Sequence, residues 1–410
     1  MFARALRLAS WGVLATMALG CEQTVYIGIP IHGDDHATGD GAPPIDAAAE
    51  ADGLPPFVWY LHASGSRLLD SRENEVHPKG INWAGMESPT GVPDGLHVRT
   101  VDSLLDQIAK LGFNLIRIPF SNASVQPGVM PAMNGATDPI GGDPSLAGLS
   151  TLQILDRIVA GAAARQLRIV LDRYRFTAST DPPSSTWYSP STSETQWIDD
   201  WRNLASRYLS SSIVVGFDLH EEPANPAVWG GGDALTDWPA AAEKAGNAIL
   251  GINHDLLIIV EGVDNANGIS YWPGGNLSSA QDTPVGIDRR QLAYSIHDYG
   301  RSVKDQPWFS ASNYPDNLPV LWESAWGKLV SGGSYPVIVG AFGDNKDELA
   351  TPPDVALSDQ ACAKSCSSTS PVRTSVTSSG RSTRAPKAKK GSFCSRTGGP
   401  PIPLGLSSCS

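Results

Sequence analysis

The chain has 410 residues, 41 % hydrophobic and 18 % charged, with a mean hydropathy of -0.15. That balance excludes wholesale disorder, and no apolar run beyond the first 20 residues is long enough to span a bilayer, which excludes a multi-pass membrane protein. A net charge of -12 has the wrong sign for a general nucleic-acid binder. The average conceals a split, because all 42 acidic residues precede position 360 while residues 360–410 hold eight basic residues and no acid. Cysteine divides the same way. Cys21 is followed only by Cys362, Cys366, Cys394 and Cys409, so the body between needs no disulfide and no thiolate metal site.

In chain order, Arg4 and Arg7 precede an apolar stretch that ends in Ala18-Leu19-Gly20 before Cys21. This is the layout of a signal peptide over residues 1–20. A Cys directly after a small residue resembles the lipobox of bacterial lipoproteins. It implies lipidation of Cys21 and an anchor on the outer membrane surface, with plain secretion as the alternative. Residues 21–55 are acidic and rich in Gly, Pro and Ala, and they read as a flexible linker. His32 and His36 flank two Asp residues there, but nothing nearby completes a ligand set, so they read as solvated linker residues.

From Val58 onward, short apolar runs alternate with amphipathic segments. Strands are predicted at 79–83, 114–120, 167–171, 213–219, 256–260, 292–296 and 337–339. Helices are predicted at 100–111, 152–166, 197–209 and 240–253. The strands are nearly continuous hydrophobic runs, as in sheets buried on both faces. This repeat predicts a TIM-type (β/α)8 barrel over residues 56–345; an open doubly wound sheet is the alternative, but no Gly-rich phosphate turn follows the first strand. A barrel places its chemistry at the C-terminal strand ends. Those ends read Arg117, Asp172-Arg173-Tyr174, His220-Glu221-Glu222-Pro223, Glu261-Gly262, His297-Asp298-Tyr299 and Gly340-Ala341-Phe342-Gly343.

The run IVVGFDLHEEPAN, together with KGINWAGME, LGFNLIRIPFSN, IVLDRYR, YSIHDYG, LPVLWESAWGKL and PVIVGAFG, resembles glycoside hydrolase family 5, the cellulase family, over residues 57 to 345. The resemblance implies the (β/α)8 barrel and retaining hydrolysis of a β-1,4-glucan or a related β-glycan by two carboxyl groups about 5 Å apart. Glu222 matches the acid/base. Arg117, His297 and Tyr299 match substrate-site positions. Trp83 and Trp272 are candidate platforms for sugar rings. No cofactor or metal is implied, the partner is a β-glucan, and a monomer is expected.

Three departures stand out. The nucleophile Glu of the family is Ala341, and a methyl group cannot attack carbon. The Asn before the acid/base, which donates to the sugar 2-hydroxyl, is Glu221, and a carboxylate only accepts. The His after the third strand is Tyr174. With Ala at position 341, Arg117 is expected to face no partner. The tail, residues 346–410, does not resemble the family. Residues 361–410 carry 18 Ser or Thr, no acid and no apolar periodicity. They read as low-complexity chain or as an out-of-frame translation of the eighth β/α unit. Either reading leaves the barrel without an intact eighth unit and the first and last strands with open edges.

Overall fold

The computed structural model describes residues 59–344 and the strand Cys394–Ser395. The predicted signal peptide, Cys21, the predicted linker and nearly all of the tail lie outside the described residues.

A hairpin opens the body, β1 (Leu61–Ser64) against β2 (Arg67–Asp70). Then come β3 (Gly80–Asn82), α1 (Val101–Lys110), β4 (Leu115–Ser121), α2 (Thr151–Ala164), β5 (Arg168–Arg175), α3 (Glu194–Arg207), β6 (Val214–Asp218), α4 (Trp238–Leu250) and β7 (Leu257–Glu261). A small hairpin, β8 (Asn265–Ala266) and β9 (Ile269–Ser270), precedes β10 (Leu292–Tyr299). The helical segment α5 (Leu318–Trp322), a π turn and α6 (Lys328–Ser331) lead to β11 (Val337–Gly343), and β12 is Cys394–Ser395.

The helices start where side chains satisfy their free N–H groups. Thr100 caps α1, Ser193 caps α3, and Asp237 caps α4 just ahead of Pro239. Ser150 and Gln153 form a reciprocal capping box on α2. Each helix buries one stripe, for example Val101, Leu104, Leu105 and Ile108 of α1.

Seven strands, β3, β4, β5, β6, β7, β10 and β11, pair in parallel in that order. All seven were legible as apolar runs, and the result is a TIM-type barrel with seven parallel strands among the described residues. The large core lies between the strands and the helices. A second, smaller core of Leu61, Leu68, Val76, Leu115, Val170, Val215, Leu257, Ile259, Ala293 and Ile338 lets the β1–β2 hairpin plug the lower end of the barrel.

Two expectations are corrected here. Arg117 and Asp172 do not end their strands, because β4 runs on to Ser121 and β5 to Arg175. Nor is the outer edge of β11 fully open: β12 pairs with it antiparallel, Ile338 with Ser395 and Val339 with Cys394. Among the described residues no backbone pairing joins β3 to β11, but Asn82 Nδ2 donates to Gly340 O at 3.1 Å across that seam.

Candidate active site

Side chains alternate across a strand, so every second residue enters the barrel. Leu115, Val170, Leu257, Ile259, Ala293 and Ile338 fill its lower part. Two residues further along their strands stand Arg117, Asp172, Glu261 (two after Ile259), Ser295 and Gly340, and His297 follows two after Ser295. The polar pole is therefore the continuation of the same inward stripe that builds the apolar plug.

Arg117 sits in the centre of this layer, fully buried. Its Nη2 donates to Asp218 Oδ2 at 2.8 Å, Glu221 Oε2 at 2.6 Å and Glu261 Oε1 at 3.0 Å, and lies 3.1 Å from Asp172 Oδ1. This corrects the expectation of a partnerless Arg117. Glu221, standing where the family has Asn, turns its carboxylate onto the guanidinium. Burial favours the neutral acid most strongly, yet Arg117 and His297 outweigh it and hold Glu221 below its ordinary value. Burial and the neighbouring acids push Asp172 well up and Asp218 to about 6. Protonation on that side relieves a layer with more carboxyls than cations.

Glu222 follows at the mouth of the barrel. Its side chain is 20 % exposed, while those of Glu221 and Glu261 are buried, so Glu222 is the acid of this group that a ligand can reach. Its φ of +50° is in the left-handed region, which costs a non-glycine residue about 1 kcal/mol or more. Glu222 Oε1 receives His297 Nδ1 at 2.9 Å and the Tyr299 hydroxyl at 3.1 Å. The other ring nitrogen, Nε2, faces Glu261 Oε1 at 3.2 Å. Burial opposes a charged imidazole, but Glu261 and Glu221 hold His297 well above its ordinary value. Burial also pushes Glu261 up, so the two groups compete for one proton. Arg117 Nη2 and the Glu222 amide both donate to the Glu261 carboxyl, at 3.0 and 2.7 Å.

The remaining predicted residues divide. Ala341 is buried on β11 and is the strand-register partner of His297, so position 341 borders the Glu222 cluster. Asp344 lies beyond the end of β11 at Gly343. Tyr174 borders the cluster too: burial and the Glu221 and Glu222 charges raise its phenol, and the Arg175 guanidinium stacks 4.7 Å from its ring. Trp83 and Trp272 are each 2 % exposed, unlike open sugar platforms. Trp83 Nε1 is tied to Asp94 O, and Trp272 Nε1 to Asp298 Oδ1 at 3.0 Å. Trp272 packs edge-on against Tyr299 and Trp308. Trp308, half-buried and stacked on Tyr271 at 5.5 Å, is an indole of this group with surface open to a ligand. Sequence reasoning passed over Trp308 because no strand end marks it. It noted Glu261 only as a strand end, although the inward alternation of Leu257, Ile259 and Glu261 was there to be read.

Glu221, Glu261 and His297 bring one ligand atom each within 4.8 Å of one another, as do Asp172, Asp218 and Glu261. The cation serving these oxygens is the Arg117 guanidinium, 2.6 to 3.1 Å from one oxygen of each of the four acids. Chemically, the pole offers a reachable carboxyl held by His297 and Tyr299, beside a methyl-lined position 341.

The profile of the family described as Cellulase (glycosyl hydrolase family 5) matches residues 69–369. An endoglucanase of Paenibacillus polymyxa is 41 % identical over 72 % of this chain and 73 % of its own length. The major extracellular endoglucanase of Xanthomonas campestris is 36 % identical over 72 % of this chain and 60 % of its own. Among solved structures, a cellotetraose complex of an endocellulase from Pyrococcus horikoshii aligns with a TM-score of 0.67 and 34 % identity, over 74 % of this chain and 86 % of that one.

Proposed function

The chain belongs to the cellulase family, glycosyl hydrolase family 5, and on that premise we propose that it binds β-1,4-glucan at the Glu222 pole but hydrolyses it poorly. The family's retaining chemistry needs an acid on one side of the scissile bond and a carboxylate nucleophile on the other. Glu222 supplies the first. The observation that carries the proposal is the register pair His297–Ala341: it sets a methyl group beside the imidazole that holds the acid.

Glu221 does not replace the lost nucleophile, because its carboxylate is buried and committed to Arg117 at 2.6 Å. It is one of four acids around the Arg117 guanidinium, which is therefore engaged without a carboxylate at 341. We further propose export through the Arg4–Cys21 segment, with Cys21 lipidated at the cell surface and the barrel acting as a monomer. Neither proposal involves nucleic acid or a cofactor.

Affinity electrophoresis in gels containing soluble β-glucans tests the reading. Retarded migration with no cleared zone is expected. Unretarded migration removes the binding claim, and a cleared zone removes the claim of impaired hydrolysis.

A further inference from the structure

We propose that Glu261 is a positioning residue for Glu222, fixing it through both its backbone and its side chain; this rests on the reading of Glu222 as the acid/base. One oxygen, Oε2, accepts the Glu222 backbone N–H at 2.7 Å. The other, Oε1, lies 3.2 Å from His297 Nε2 and 3.0 Å from Arg117 Nη2. His297 in turn presents Nδ1 to Glu222 Oε1 at 2.9 Å. A single carboxylate thus closes a ring from the Glu222 amide, through Glu261 and the imidazole, to the Glu222 carboxyl.

Glu222 needs such a hold because its left-handed backbone is unfavourable for a glutamate and persists only where its surroundings enforce it. The neighbouring chain is shaped around the contact. Gly274 has φ +71°, its N–H reaches Pro223 O at 3.3 Å, and its carbonyl accepts the Gly262 N–H at 2.8 Å. A Cβ at Gly274 would stand 2.3 Å from Glu261 Oε2. Glycine there leaves room for the carboxylate to reach the Glu222 amide. The Glu261 backbone is anchored separately, because its carbonyl accepts the Trp238 indole N–H at 2.8 Å.

Two substitutions separate the geometry from the charge. Glu261→Gln removes the negative charge beside His297, and in either orientation its NH2 faces a fixed donor, the Glu222 N–H or Arg117 Nη2. In Gly274→Ala, the added methyl displaces the carboxylate from the Glu222 N–H but leaves its charge near His297. The readouts are the Glu222 amide proton and the His297 ring nitrogens in NMR spectra of the full 15N-labelled chain, with no glucan present.

In the natural chain a downfield Glu222 amide and a doubly protonated His297 at neutral pH are expected. Gly274→Ala should move the amide upfield and leave the ring charged. Glu261→Gln should lower the pH at which the ring loses its proton, shift the amide, or do both. An unchanged Glu222 amide in Gly274→Ala, or unchanged amide and ring signals in Glu261→Gln, overturns the proposal. Failure of the natural chain to bind glucan would defeat the functional reading instead, and these ligand-free spectra would not report it.

Discussion

At the scale of single residues, the pole stores more acid than its cations balance, and burial decides which acids stay neutral. Glu87, Asp94 and Asp298 are each pushed up to about 7 by burial. A carboxyl raised in the folded state adds stability that is complete below the ordinary carboxyl range and is lost as the pH climbs to the folded value. Thermal stability should therefore decline between about pH 4 and pH 7 from this source. Asp298→Asn, which keeps an oxygen for the Trp272 indole, should flatten part of that decline; melting curves across the range measure it. His297 contributes with the same sign, since it too is raised. A second prediction concerns Trp308, where removal of the indole should weaken cellotetraose binding by about 2- to 13-fold, as loss of about 0.5 to 1.5 kcal/mol of aromatic contact would. Titration calorimetry of Trp308→Ala checks it. Sequence alone named Glu222, His297, Tyr299 and Arg117, because short motifs at strand ends carry them. It missed that Arg117 is engaged, because the residue that engages it, Glu221, was read only for its lost hydrogen-bond donor. Which way a carboxylate turns depends on charges from four different strands, and no local pattern encodes that.

At the scale of elements, legibility followed burial. All seven barrel strands read as apolar runs because they are covered on both faces, and the four predicted helices read from their one-sided stripes. The β1–β2 hairpin was not anticipated, because its four-residue strands carry too few residues to establish a period. Arg117 and Asp172 were read as strand-end residues because they look like loop residues, although both lie within their strands and point into the barrel. The Ser150–Gln153 capping box offers a clean test of local design. Ser150→Ala should cost about 1 kcal/mol in urea denaturation with an unchanged slope, because it removes one partner of an exposed cap without touching the core. A loss near zero would show that α2 is held by its packed stripe alone.

At the scale of the molecule, the described residues form a barrel sheet of seven parallel strands, in which Asn82 reaches across from β3 to Gly340 and an antiparallel two-residue strand flanks β11. That seam lies beside Gly340 and Ala341, so any repair of the catalytic position must act next to it. Ala341→Glu is accordingly expected to raise cellotetraose cleavage only slightly, because a nucleophile is useful only when held to within about 0.5 Å of its working position. Reducing-sugar release measures this, and full family-like turnover would show that the seam is immaterial. The pairing of Cys394–Ser395 with β11 was not legible in the sequence, since a two-residue strand leaves no pattern.

The most direct test of the whole account follows cellotetraose by proton NMR in the presence of the natural chain. Saturation transfer to the sugar, with the tetrasaccharide intact, is the expected result. Steady accumulation of shorter cello-oligosaccharides, or no transfer at all, would contradict a barrel that keeps its glucan site and its acid but lacks its nucleophile.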